Sequence, residues 1–171
     1  MSAQAHPRLA LRPFLPADAP LLAEIFRTSI EELTAEDYGE AQRGAWAAAA
    51  DDEAAFARRL ADELTLIATL EGSPVGFISL EGAEKIDMLY VHPAAAGRGA
   101  GAMLCDAVER LAASRGAARL SVDASDSARG FFEHRGFLAQ QRNSVLCGDE
   151  WLASVTMEKQ LAEKGEERPV R

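Results

Sequence analysis

Residues 97–101 read Gly-Arg-Gly-Ala-Gly, immediately ahead of a stretch in which Met103, Leu104, Ala107, Val108 and Leu111 recur at three and four residues. That spacing predicts an amphipathic helix ending near Gly116. Upstream, Ile86 to Val91 has the composition of a strand. Glycines between a strand and the first turn of a helix leave unpaired backbone N–H groups open to an approaching anion, and the helix dipole adds partial positive charge there. Arg98 can add a guanidinium to the same anion.

A glycine string of this kind also serves plain close packing, so its neighbours must decide among phosphate-binding designs. A P-loop requires Lys-Ser or Lys-Thr after the last glycine, and Ala102-Met103 stands there instead. A dinucleotide fold fits Gly97-x-Gly99-x-x-Ala102, with Asp123 ending the next strand where a ribose-binding acid would sit. Its glycines should follow their strand directly, however, and here His92 to Ala96 intervene. Too little chain also remains after Asp123 for the further parallel strands. A dinucleotide-binding oxidoreductase therefore stands as an alternative.

The remaining pattern predicts a strand from Leu9 to Phe14 and a helix capped by Asp18. Two helical pieces follow between Gly39 and Asp62, broken at Asp51-Asp52. Leu64–Ala68 and Val75–Leu80 flank the turn Glu71-Gly72-Ser73-Pro74 as a hairpin. Beyond the central helix come a strand at Leu120–Val122, a short helix at Ala128–His134 and scattered β-type residues to Met157. That order predicts one mixed α/β sheet in a single domain over residues 1–160, with 161–171 a disordered tail.

With 18 Lys plus Arg against 27 Asp plus Glu, the net charge of −9 disfavours nucleic acid and anionic membranes and suits an amine partner. Cys105 and Cys147 lack the spacing of a disulfide framework or a zinc site, and no metal is expected. No run approaches the roughly twenty apolar residues of a membrane span, which predicts a cytoplasmic protein.

Val91-His92-Pro93-x-x-x-Gly97-x-Gly99-x-Gly101, followed by a helix and Ala128-x-x-Phe131-Phe132-x-x-x-Gly136-Phe137, resembles the GCN5-related N-acetyltransferase (GNAT) superfamily. The runs Ile86–Val91 and Ser121–Ser125, with Phe131-Phe132-Glu133, are similar to its bacterial YafP-like subgroup. The resemblance implies a mostly antiparallel sheet with one splayed parallel strand pair, flanked by helices. It also implies acetyl-CoA as co-substrate and direct attack by a primary amine of a small molecule or peptide. A homodimer is a further expectation, since relatives often dimerise.

Residue by residue, the family's loop motif falls on Ala96, Gly97, Arg98, Gly99, Ala100 and Gly101, leading into Ala102. Ala96 replaces the usual Arg or Gln. Met88, Leu89, Tyr90 and Val91 fall where the family lines the pantetheine arm, and the main-chain N–H of Leu89 falls where it binds the thioester oxygen. The usual glutamate position falls on Lys85, which leaves Asp87 as the first choice of base, on Leu89's face by strand alternation, with Glu84 nearer solvent. Asp87 and Asp123 can each orient the amine or serve structure alone.

The family's thiolate-protonating Tyr matches Phe132, which leaves Tyr90 and His134 as substitutes and a non-catalytic CoA-binding module as a second alternative. Ser125 falls on a pantetheine-binding Asn position, and Phe131 and Phe132 are apolar walls of the cofactor site. His92 reads as a strand-end cap, and Tyr38, Trp46 and Phe56 as core aromatics without an assigned role.

Overall fold

Glu71 and Gly72 both take positive φ, 52° and 82°, the conformation of a two-residue I′ turn. They join β2 (Leu64–Leu70) and β3 (Ser73–Glu81) into an antiparallel hairpin longer and more tightly turned than the sequence pattern suggests. A computed structural model describes residues 8–161. The expected tail lies outside the described residues from 162 on, while Leu161 donates its N–H to the Ala118 carbonyl at 2.9 Å.

Around that hairpin the chain builds a seven-stranded sheet of order β1-β2-β3-β4-β5-β7-β6. Its other strands are β1 (Leu9–Pro13), β4 (Lys85–Val91), β5 (Arg119–Ser125), β6 (Leu138–Cys147) and β7 (Glu150–Gln160). Among the described residues β4 and β5 form the one parallel pair, and every other neighbour runs antiparallel. This is the mixed sheet expected. It rules out the doubly wound parallel sheet that the dinucleotide alternative needs. The scattered β-type residues after Phe137 pair over ten and eleven residues as the β6–β7 hairpin, which short-range periodicity did not predict.

Helices α1 (Ala19–Leu33), α2 (Glu40–Ala47) and α3 (Glu53–Asp62) cover one face of the sheet. Helices α4 (Ala100–Ser114) and α5 (Arg129–His134) belong to the other. Leu22, Ile25, Phe26 and Ile30 of α1 pack with Phe56, Leu60, Ile67 and Phe77. Leu104, Val108 and Ala112 of α4 pack with Ile78, Ile86, Leu120 and Met157. The break at Asp51-Asp52 is real, and Asp52 caps α3 by accepting from Ala55 N–H at 3.0 Å. Asp18 does not cap α1 through its side chain; its carboxylate accepts from both Nη atoms of Arg12 at 2.8 Å and from Leu15 N–H.

One irregularity shapes everything downstream. In the β3–β4 ladder Ser79 pairs with Met88 but Leu80 pairs with Ile86, so Asp87 is the extra residue of a β-bulge. Ile86 and Leu89 then pack toward α4, while Met88 and Tyr90 join the core under α1–α3. Asp87 reaches Arg59 on α3, so it sits on the face opposite Leu89, contrary to simple alternation.

Gly76 in β3 backs the outer half of β4. A Cβ there would lie 3.0 Å from the Tyr90 carbonyl oxygen and 3.2 Å from Val91 Cγ2. Gly76→Ala is expected to cost about 1–3 kcal/mol by overpacking, read as a lowered urea midpoint. An unchanged midpoint would contradict this close apposition.

Candidate active site

Pairing between β4 and β5 stops after Lys85↔Ser121 and Ile86↔Val122. Beyond that point β4 stays paired with β3 to Val91 and β5 with β7 to Ser125, so the two strands diverge. The gap they open has a volume of about 270 Å³ and runs from the carboxylates of Asp87 and Asp123 to Phe131 and Gly101 at the head of α4. His92 N–H donates to the Val75 carbonyl at 2.7 Å. Alternation along β4 from that bond points the Tyr90 and Met88 amides at β3, and the Leu89 and Val91 amides into the gap.

At the mouth, Gly97 and Gly99 hold left-handed φ of 76° and 90°, with open space where a side chain would project. The helical ladder of α4 begins with Met103 N–H donating to Gly99 O at 3.0 Å. The amides of Ala100, Gly101 and Ala102 therefore end the helix without intrahelical acceptors. Ala96, Gly97, Arg98 and Gly99 are exposed around them, whereas Ala100 is buried beneath. His92 Nδ1 accepts from Ala94 N–H at 3.1 Å, which is the strand-end cap expected of it. A phosphate-bearing cofactor fits these glycines and amides, with Arg98 free to swing onto it.

The gap's acidic end is more elaborate than the sequence pattern suggests. Asp87 Oδ2 accepts from Arg59 Nε and pairs with its Nη2, both at 2.7 Å. Behind it, the carboxyl oxygens of Glu63, Glu81 and Asp87 lie within 4.8 Å of one another. Glu63 Oε2 and Ser79 Oγ are both buried without a hydrogen-bond partner. Burial pushes the Glu63 carboxyl up to about 7, reinforced by the Asp87 carboxylate, which accepts a hydrogen bond from protonated Glu63 and repels its charged form. Arg59 and Glu63 are four apart on a helix end, but only the β4 bulge brings Asp87 to them.

Asp123 is built differently. Its Oδ2 lies 3.2 Å from Lys85 Nζ, and its Oδ1 accepts from Thr156 Oγ1 at 2.7 Å. Thr156 in turn accepts from Asn143 Nδ2 at 2.8 Å. Lys85, at the family's glutamate position, thus serves as the partner of a carboxylate.

The aromatic residues divide between the two faces. Phe132 is buried on the α4 face in edge contact with Phe131 and Phe137, at centroid distances of 5.2 and 5.1 Å. Ser125 Oγ accepts from Ala128 N–H at 3.1 Å and lines the gap. Tyr90 turns to the α1–α3 face, where its hydroxyl accepts from Trp46 Nε1 at 3.2 Å and burial raises its pKa. It still borders the gap from that face. His134 is exposed at the end of α5 and does not line the gap. Tyr38 and Trp46, read from sequence as core without an assigned role, pack with the core and also border the cavities.

Residues 34–161 match the acetyltransferase (GNAT) domain model. The chain belongs to the GNAT family. It is 33% identical over 150 residues to the uncharacterized N-acetyltransferase YafP of Escherichia coli K12, covering 87% of this chain and 94% of that protein. The structure of a GCN5-related N-acetyltransferase from Rhodopseudomonas palustris superposes with a TM-score of 0.89 at 58% identity, over 94% of this chain and 99% of that one. The PaiA N-acetyltransferase of Thermoplasma acidophilum, solved with coenzyme A, shares the fold at a TM-score of 0.75 and 19% identity, over 90% and 99%. As a GNAT protein the chain is an acetyl-CoA-dependent acyltransferase. Among the described residues no helix is long and apolar enough to cross a membrane.

The buried Glu63 gives a pH test of this geometry. Below the ordinary carboxyl pKa of 4.5 it is protonated in folded and unfolded chains alike. Between there and about 7 the unfolded chain gives up its proton first, so stability falls as pH rises, and above 7 the loss is constant. Glu63→Gln removes this penalty. The variant should gain on the parent from pH 4.5 to 7, reaching on the order of 1–3 kcal/mol at pH 8. Urea denaturation across pH reads the effect, and parallel stability curves for the two proteins would contradict it.

Proposed function

We propose that this protein transfers the acetyl group of acetyl-CoA to a primary amine in a ternary complex, within the gap between β4 and β5. The observation that carries the reading is the early end of β4–β5 pairing, which leaves inward-facing amides on one strand and carboxylates at the base of the same opening. Acetyl-CoA, when bound, supplies an activated acyl carbon.

The residues divide the work by position. The amides of Ala100, Gly101 and Ala102, with the open backbone at Gly97 and Gly99, hold the pyrophosphate, assisted by Arg98. Val91, Phe131 and Phe132 flank the pantetheine, and Ser125 offers it a hydroxyl. The Leu89 N–H stabilises negative charge on the carbonyl oxygen as the amine adds, a preorganised donor inside a water-poor gap. Asp123 holds the ammonium before reaction, its own orientation fixed by Lys85 and Thr156.

An amine must lose its proton to attack, and Asp87 accepts it directly or through one water. Arg59 holds the Asp87 carboxylate in place, and Glu63 behind it takes up a proton near neutrality. Phe132 offers no proton to the departing sulfur. An ordinary thiol pKa of about 8.5 lets the thiolate leave and be protonated by water.

Isothermal titration with acetyl-CoA tests the reading. The parent should bind saturably, and Gly99→Trp, which fills the cradle and strains a left-handed position, should lose at least tenfold in affinity with its circular dichroism intact. Failure of the parent to bind, or unchanged affinity in the variant, would refute the cradle.

A further inference from the structure

Beside the gap lies a second chamber of about 160 Å³, bordered by Tyr38, Trp46 and Tyr90 on one side and by Val145, Leu152 and Ala153 of the β6–β7 hairpin on the other. It shares Trp46, Tyr90, Asp123 and Ser125 with the gap, so a molecule whose nitrogen sits at Asp123 can extend directly into it.

The polar atoms of the three aromatic side chains are already engaged, whereas Ser154 Oγ, on the hairpin side, is buried without a hydrogen-bond partner. Tyr38 Oη donates to the Ala153 carbonyl at 2.6 Å and accepts from Asp126 N–H at 2.8 Å, while Trp46 Nε1 donates to Tyr90 Oη. The rings lock one another edge to face, Tyr38–Trp46 at 5.4 Å and Trp46–Tyr90 at 6.3 Å. What these three rings present to a guest is aromatic carbon, faced by Val145 and Leu152, with Asp123 and Ser125 at the side shared with the gap. The volume is near that of the roughly 150 Å³ cavity that accommodates benzene.

Charge narrows the guest further. Among the described residues no Lys, Arg or His lines either the gap or the chamber, whereas Asp87 and Asp123 both do. The nearby cations are committed elsewhere: Arg59 to Asp87, Lys85 to Asp123, and Arg142 to Asp126. A carboxylate or phosphate on the acceptor would meet two carboxylates, each already ion-paired, and no free positive partner.

We propose that the acceptor is a primary amine joined by a short linker to one ring-sized apolar group, without an anionic substituent, whose ring occupies the chamber of Tyr38, Trp46, Tyr90, Val145 and Leu152. This rests on the acetyltransfer reading for the place of the nitrogen, at Asp123 beside the thioester. It excludes free α-amino acids and phosphorylated amines as good acceptors.

The test is equilibrium binding, which needs no turnover. 2-Phenylethylamine, phenylalanine and n-butylamine are titrated by NMR into the protein saturated with CoA, and in parallel into the free protein. The ring-bearing amine without a carboxylate should bind about tenfold or more tighter than either control, the increment expected for burying one ring. Leu152→Trp, which fills the chamber, should erase that difference. Val145→Trp, at an exposed strand position, repeats the test if the first variant does not fold.

Equal affinity for all three amines, no saturable binding of 2-phenylethylamine, or an undiminished preference in the filled variants would overturn the proposal. Failure of CoA to bind would refute the acetyltransfer reading instead, with amine selectivity still read on the free protein.

Discussion

The chemistry of this protein hangs on a lost strand pairing. Two residue pairs join β4 to β5, and then each strand follows its other neighbour. Backbone groups that a continuous ladder would consume are left facing a cavity, and side chains from both strands converge at its base. The bulge at Asp87 is part of the same device. By inserting one residue it turns Asp87 toward α3 while the Leu89 amide faces the gap, so a carboxylate and an oxyanion donor arise two residues apart on opposite sides of one strand. A regular strand would have put both side chains on one face.

Electrostatics separates the two ends of the gap. The mouth gathers the helix dipole of α4, its free amides and Arg98, all favouring an anion. The base gathers carboxylates whose nearby cations are already paired. The two ends of the gap thus differ in the sign of charge they favour. The excess of negative charge over the whole chain describes this arrangement poorly, because it averages over two ends of opposite sign.

Much of this was legible before any coordinates. The glycine turn, the strand before it and the spacing to Phe131-Phe132 and Gly136-Phe137 are local patterns. They led to the superfamily and the sheet type. What the pattern could not carry was long-range register. Strand alternation placed Asp87 on Leu89's face because a bulge is visible only when Ser79 and Leu80 are set against their partners. Glu63 and Arg59 carried no local signal, and Tyr38 and Trp46 read as core without an assigned role, because their surroundings depend on β4 and on the β6–β7 hairpin meeting them from far along the chain.

The central claim is that the cofactor's pyrophosphate rests on the α4 amides and its thioester reaches Leu89 N–H. Amide chemical shifts of ¹⁵N-labelled protein titrated with acetyl-CoA test it most directly, with desulfo-CoA as the analogue lacking the thioester. Acetyl-CoA should move Gly99, Ala100, Gly101 and Leu89 together, and desulfo-CoA should move the first three while leaving Leu89 nearly unshifted. Perturbations that spare the α4 amides, or a Leu89 signal blind to the thioester, would contradict the account.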